Sequence, residues 1–270
     1  MTDPATLPID AGVAEPQARA SADAVRWQHI FTAICLLAWF FASWMLPPYL
    51  LPGPVAVARE IGLLVGTAAL APHVLASLFN VCASVALAFG FGLLLALAAY
   101  YVAPLRLLIH GRLSPVLNAF PAIGWTLIAV LWFGLTQATV IFSVTIILLP
   151  FCLINLRQGL DELDSDAIEM AHSFTRSRWR SMRLVVLPLL LPFVFASLRV
   201  SFGVAWKVAL TAELLGGDRG IGYLVNLAMQ DQNTARILAA AVLIVAFVIA
   251  VDRFGFAPLQ RRLSQSFRQA

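Results

Sequence analysis

Three ionisable residues fall in one otherwise apolar stretch: Arg199, Lys207 and Glu213. Lys207 is the single lysine of the 270-residue chain. Charges in such a stretch are expensive and tend to face a bundle interior or an aqueous path. An ammonium there can attract an anion, a guanidinium can grip an oxyanion, and a carboxylate can bind a cation or close a hydrogen-bond network. At 100° per residue Arg199 and Lys207 share a helix face to within about 80°, whereas Glu213 is turned about 120° from Lys207. Two readings of Lys207 follow, a pathway cation that favours an anion or a structural partner of a carboxylate or carbonyl in the bundle. Arg199 has a corresponding bland reading, snorkelling to the headgroups. Catalytic and nucleotide-binding handles are missing. A phosphate-binding loop needs a Gly-Lys-Ser/Thr end, and Lys207 is followed by Val208; neither G-x-S-x-G, H-E-x-x-H nor C-x-x-C occurs. His29, His73, His110 and His172 have no ligand spacing, and Cys35, Cys82 and Cys152 read as small buried hydrophobes.

The elements that carry these residues follow from composition. Hydrophobic residues make up 61% of the chain and charged ones 12%, about half the charged share of a soluble domain. A net charge of +4 is no sign of a nucleic-acid binder when so little polar surface exists to carry it. No Asp, Glu, Lys or Arg occurs between Glu60 and Arg106 or between Arg112 and Arg157. Each gap can hold one or two crossings of about 20 residues. Apolar runs read against Pro, Gly and polar punctuation predict six transmembrane helices, at 28–46, 75–101, 116–134, 138–156, 188–213 and 236–256. Runs such as Val85 to Ala99 are apolar on every face, which excludes a barrel strand. The expectation is an all-α polytopic membrane protein.

With both termini on the cytoplasmic side, most arginines fall inside and only Arg59, Arg219 and Arg236 outside, the positive-inside pattern. Residues 1–26, rich in Ala, Pro and acids, read as a disordered cytoplasmic tail rather than a cleaved signal. Residues 27–262 are the membrane domain, with a cytoplasmic loop at 157–187, and residues 263–270 a second tail.

That loop has internal order. Asp161, Glu162, Asp164, Asp166 and Glu169 precede Arg176, Arg178, Arg180 and Arg183. Asp166 and Glu169 have the spacing of a capped helix N-terminus. Ile168, Met170, Ala171 and Phe174 give the short helix an apolar stripe, and a helix so short needs something to dock on. The following Arg-rich stretch, interleaved with Trp179, Met182, Leu184 and Val185, fits an interfacial helix. Leu187-Pro188 is expected to end it and start the fifth span.

The loop resembles that of ABC importer permeases, whose pattern is E-A-A, three residues, G, and about a dozen more to L-P. Here Glu169-Met170-Ala171 stands at E-A-A, Thr175 at the glycine and Leu187-Pro188 at L-P. Pro121-Ala-Ile-Gly-Trp125, Leu131-Trp-Phe-Gly134, Leu198-Arg199, Ala205-Trp206, Ala212-Glu213 and Gly220-Ile-Gly-Tyr223 look like the nitrate, sulfonate and taurine group, over about residues 50 to 262. Two departures stand out. A β-branched Thr175 replaces a glycine suited to a left-handed turn, and can instead N-cap a helix starting at Arg176; Met170 replaces the first Ala.

The resemblance implies a type I ABC importer permease (MetI-like) fold in a bacterial inner membrane. It implies a homodimer with the pathway between two copies, and a periplasmic binding protein that delivers a small anion such as a sulfonate, taurine or nitrate. ATP and Mg would sit on a separate cytoplasmic ATPase, with none bound by this chain. Asp166, Glu169, Met170, Ala171, Phe174 and Thr175 would couple to that ATPase, and Arg199, Lys207 and Glu213 are candidates for the pathway. The alternatives are a stand-alone secondary transporter or channel, which leaves the acidic helix idle, a membrane enzyme, which lacks a catalytic set, and a permease of the same group carrying a non-anionic solute. The glycine-rich Gly216 to Gly222 loop reads as a packing or docking element, not a phosphate cradle.

Overall fold

A computed structural model describes residues 14–163, 177–256 and 258. Every regular element among them is helical. Helix α1 (Ala14–Met45) is followed by α2 (Pro54–Gly66) and α3 (Ala71–Tyr101). A bent pair comes next, α4 (Ala103–Ala119) and α5 (Ala122–Phe133), then α6 (Gln137–Asp161). Helices α7 (Trp179–Gly216), α8 (Ile221–Gln230) and α9 (Thr234–Phe256) complete the chain.

Helices α3, α6, α7 and α9 are long and apolar enough to cross a membrane, and α4 with α5 makes a fifth candidate span bent by 86°. The bend has a local cause. Proline disfavours a helical residue before it, and Phe120 ahead of Pro121 takes an extended ψ of 130°. The apolar part of α1, Ile30–Met45, is shorter than these spans. Five of the six expected segments therefore lie on span candidates, and the first on a helix with a shorter apolar run.

Helix α6 occupies the middle. One of its faces, Val140, Val144, Leu148 and Cys152, meets α3 and α7; the adjoining face, Leu149, Leu153, Leu156 and Leu160, belongs to a second cluster with Ala96, Ile109 and Leu190. Lipid tails are as apolar as leucine, so such faces are held by close packing rather than by escape from water. Gly159 shows how close: a β-carbon there would lie under 3.0 Å from the Phe193 side chain of α7.

Several expectations need correction. Helix α1 starts at Ala14, so residues 14–26 continue a helix rather than forming an unstructured tail; Ala, Arg, Gln and Glu are good helix formers, and extending an existing helix needs no new nucleus. No break occurs at Leu187-Pro188. A π-helical turn at Met182–Val186 runs directly into Leu187–Gly216, and its wider ladder relieves the clash of a proline ring with the carbonyl four residues back. Cys35 and Cys82 are exposed, and only Cys152 is buried. Helices α2 and α8 lie outside the six expected spans. Pro54 stands in the first turn of α2, where its missing N–H costs nothing, and Val57 and Leu64 are buried.

Candidate functional site

Glu213 is 1% exposed, and its surroundings are built from three helices. Ser77 of α3 donates its hydroxyl to Oε2 at 2.6 Å, and Asn80, one turn further along α3, donates from Nδ2 to Oε1 at 3.0 Å. The third donor is the backbone N–H of Gly222, which reaches Oε2 at 3.0 Å from the first turn of α8. Ser77 closes a relay, since its oxygen also accepts the Ile221 N–H at 2.7 Å. Carboxylates suit a helix N-terminus, where amides lack intrahelical partners and the dipole favours negative charge. No lysine or arginine pairs with Glu213 among the described residues.

The glycine-rich loop is the lid of this network. Gly220 sits at φ 121°, and a β-carbon there would fall onto the Glu213 carboxylate. Its N–H donates to His73 Nδ1 at 3.2 Å, and the His73 ring stacks on Tyr223 with centroids 5.6 Å apart. Loop and carboxylate thus specify each other: on the loop side only backbone without side chains can approach Glu213 this closely, and an acceptor there satisfies the buried Gly222 amide. Both oxygens of the Glu213 carboxylate are thus already engaged by donors on neighbouring helices.

Arg199 has another environment. It holds Asp252 through two parallel bonds, Nε to Oδ1 at 2.5 Å and Nη2 to Oδ2 at 2.8 Å, the fork geometry that makes arginine–carboxylate pairs strong. Asp252 begins a π-helical turn at the end of α9. Near the opposite end of α9, Arg236 Nε donates to Glu60 of α2 at 3.0 Å. Ion pairs therefore tie α9 to the body at both ends, although its span is only 17% buried.

Lys207 differs from both. It is exposed, lies about 14 Å before the end of α7 by helical rise, and enters no ion pair among the described residues. Ala196, Val200, Gly203 and Thr211 share its face at helical spacing, and space beside Gly203 is open. The three charges of α7 are thus not brought together. Glu213 is enclosed by hydrogen bonds, Arg199 is neutralised, and Lys207 stands free on a face of small residues.

Asp166, Glu169, Met170, Ala171, Phe174 and Thr175 lie outside the described residues. The flanks are defined: α6 closes with Glu162 as its cap, and on the far side the Arg180 N–H donates to Ser177 Oγ at 3.4 Å. The described capping bond is thus made by Ser177, two residues past Thr175. Trp179 and Leu184, exposed beside Arg180 and Arg183, give this end of α7 an apolar and basic surface.

Sequence reasoning missed Ser77, Asn80, Asp252 and Glu60 as partners. A signal existed for the first two: Ser77, Asn80 and Ser84 recur at helical spacing on a helix that is otherwise almost wholly apolar. Asp252 was visible only as an acid at the end of a span.

The sequence profile of binding-protein-dependent transport system inner membrane components matches residues 88–265. The taurine transport system permease protein TauC of Escherichia coli (strain K12) is 27% identical over 244 residues, 86% of each chain. The putative aliphatic sulfonates transport permease protein SsuC of Bacillus subtilis (strain 168) is 26% identical over 204 residues, 76% of this chain and 74% of that one. Among solved structures, a chain of the MetNI methionine ABC transporter in an inward-facing conformation superposes with a TM-score of 0.63 at 17% identity, covering 71% of this chain and 94% of that one. That likeness establishes the fold. With a profile spanning most of the chain, this protein belongs to the family of binding-protein-dependent transport system inner membrane components, the multi-pass permease subunits of ABC importers.

Proposed function

We propose that this chain lines the translocation pathway of an ABC importer for a small anion, with Lys207 as the cation that favours the anionic solute. One observation carries the reading: Lys207 is exposed on a small-residue face of a span while its neighbours Arg199 and Glu213 are satisfied internally. A free ammonium at membrane depth is costly unless it meets water or a counter-charge. A second copy of the chain, placed face to face along Ala196, Val200, Gly203, Lys207 and Thr211, would enclose a positively charged passage. The names of the relatives supply the substrate class, a sulfonate such as taurine.

In this reading a periplasmic binding protein delivers the solute, both termini are cytoplasmic, and a separate ATPase holds ATP and Mg. Asp166, Glu169, Met170, Ala171, Phe174 and Thr175 form the segment that docks on the ATPase. The transport assay is ATP-driven uptake into proteoliposomes containing the permease with its ATPase and binding protein. Lys207→Met lowers taurine or alkylsulfonate uptake at least about tenfold, the scale of one charged interaction. Unchanged uptake of every anion tested removes the pathway role. Docking is tested separately: Glu169→Arg abolishes co-purification of the ATPase, and retention of the ATPase contradicts the assignment of the segment.

A further inference from the structure

A second cluster of charge lies at the opposite end of the bundle from Glu213. Arg106 and His110 of α4 converge with Arg157 and Asp161 of α6 around a cavity of about 100 Å³ whose apolar floor is the buried pair Ala96 and Ala99. Arg157 Nε is occupied by Asp161 at 3.3 Å, an exposed pair one helical turn apart. A guanidinium has five donors in a fork, so this bond orients Arg157 and leaves the outer donors of its fork for another acceptor. The Arg106 side chain has no hydrogen-bond or ion-pair partner among the described residues. Two guanidinium groups against one carboxylate leave the cavity with net positive charge, and the His110 imidazole adds a hydrogen-bonding group.

The surroundings indicate where an anion would come from. Leu107 and Leu108, directly after Arg106, are 75% and 53% exposed, and Tyr100 and Val102 are exposed beside them. Tyr101 ends the α3 span. Exposed leucines next to arginines at the end of a span match the membrane interface, with aliphatic side chains among acyl tails and guanidinium groups at phosphate depth. We propose that Arg106, His110 and Arg157 form a binding site for the phosphate of an anionic phospholipid, which fastens the start of α4 to the α6 end. Basic pockets between membrane helices take lipid headgroups in this way. The site depends on the membrane-spanning fold and not on the solute carried, so its failure leaves the transport reading intact.

The test uses the full-length permease in phosphatidylcholine nanodiscs with increasing phosphatidylglycerol, read by native mass spectrometry of retained lipid and by thermal unfolding. Phosphatidylglycerol is retained and raises the unfolding temperature, whereas millimolar inorganic phosphate in the lipid-free detergent form does neither. Arg106→Gln weakens retention about fivefold, the equivalent of roughly 1 kcal/mol per basic residue at a membrane surface. Because Arg106 is exposed and unpaired, this variant keeps its fold, and Arg106→Lys gives an intermediate loss as a point charge without the fork. Arg112→Gln, a neighbouring arginine outside the cavity, leaves retention unchanged. Equal losses from Arg106→Gln and Arg112→Gln would show diffuse attraction and overturn the site, and inorganic phosphate binding as tightly as the lipid would overturn the lipid assignment.

Discussion

Glu213 and Lys207 lie six residues apart on α7, about 9 Å along its axis, and share almost nothing else. Glu213 accepts three hydrogen bonds from α3 and α8 and is closed off by glycine backbone. Lys207 is exposed and unpaired among the described residues. The rotation between them puts one on the packed side of the helix and the other on its open side. An ionisable residue in a membrane helix is therefore no sign of a pathway by itself; the number of donors aimed at it separates a fastening from a passage. Arg199 stands between the two, partly exposed yet fully engaged with Asp252.

The largest effect on stability should come from the fastening. Glu213→Ala leaves the Ser77 and Asn80 donors and the Gly222 amide without an acceptor, and the cost is about 3 kcal/mol or more. Thermal unfolding of the purified permease should show a drop of several degrees, with poor yield from the membrane. A variant that unfolds like the parent would mean that the network is dispensable. Gly220→Ala comes next, at roughly 2 kcal/mol, because the residue holds a left-handed backbone and its β-carbon would strike the carboxylate. Glu213→Ala and Gly220→Ala should be strongly non-additive, since each removes what the other supports; simple addition would separate loop from carboxylate. Smaller again is the coupling of Arg199 with Asp252. A double-mutant cycle with Arg199→Gln and Asp252→Asn should give a small favourable coupling that weakens with added salt, and a value near zero would make the pair a surface contact of no consequence.

Much of this was legible beforehand, for physical reasons that differ by region. The spans were readable because 61% of the residues are hydrophobic and charge is excluded from long stretches. Helix α2 was not, because Arg59 and Glu60 look like loop residues until Glu60 is seen paired with Arg236. The unbroken α7 was hidden as well: Pro188 signals a stop, and the π-helical turn before it leaves no mark on the sequence. Within the site, Lys207 and Glu213 could be placed on different faces by counting residues. What each face met could not, since Ser77 lies 136 residues from Glu213 and Asp252 lies 53 from Arg199. The exposed Cys35 and Cys82 show the same limit, because a residue apolar enough for a core is equally at home against lipid.

The central claim is that Lys207 serves the solute and Glu213 serves the fold. ATP-driven uptake of a sulfonate by the reconstituted importer, measured for Lys207→Met alongside the thermal stability of the same preparation, tests it most directly. The account predicts at least about a tenfold loss of uptake at unchanged unfolding temperature, with partial recovery in Lys207→Arg. Full uptake by Lys207→Met, or a loss that merely tracks unfolding, would contradict it.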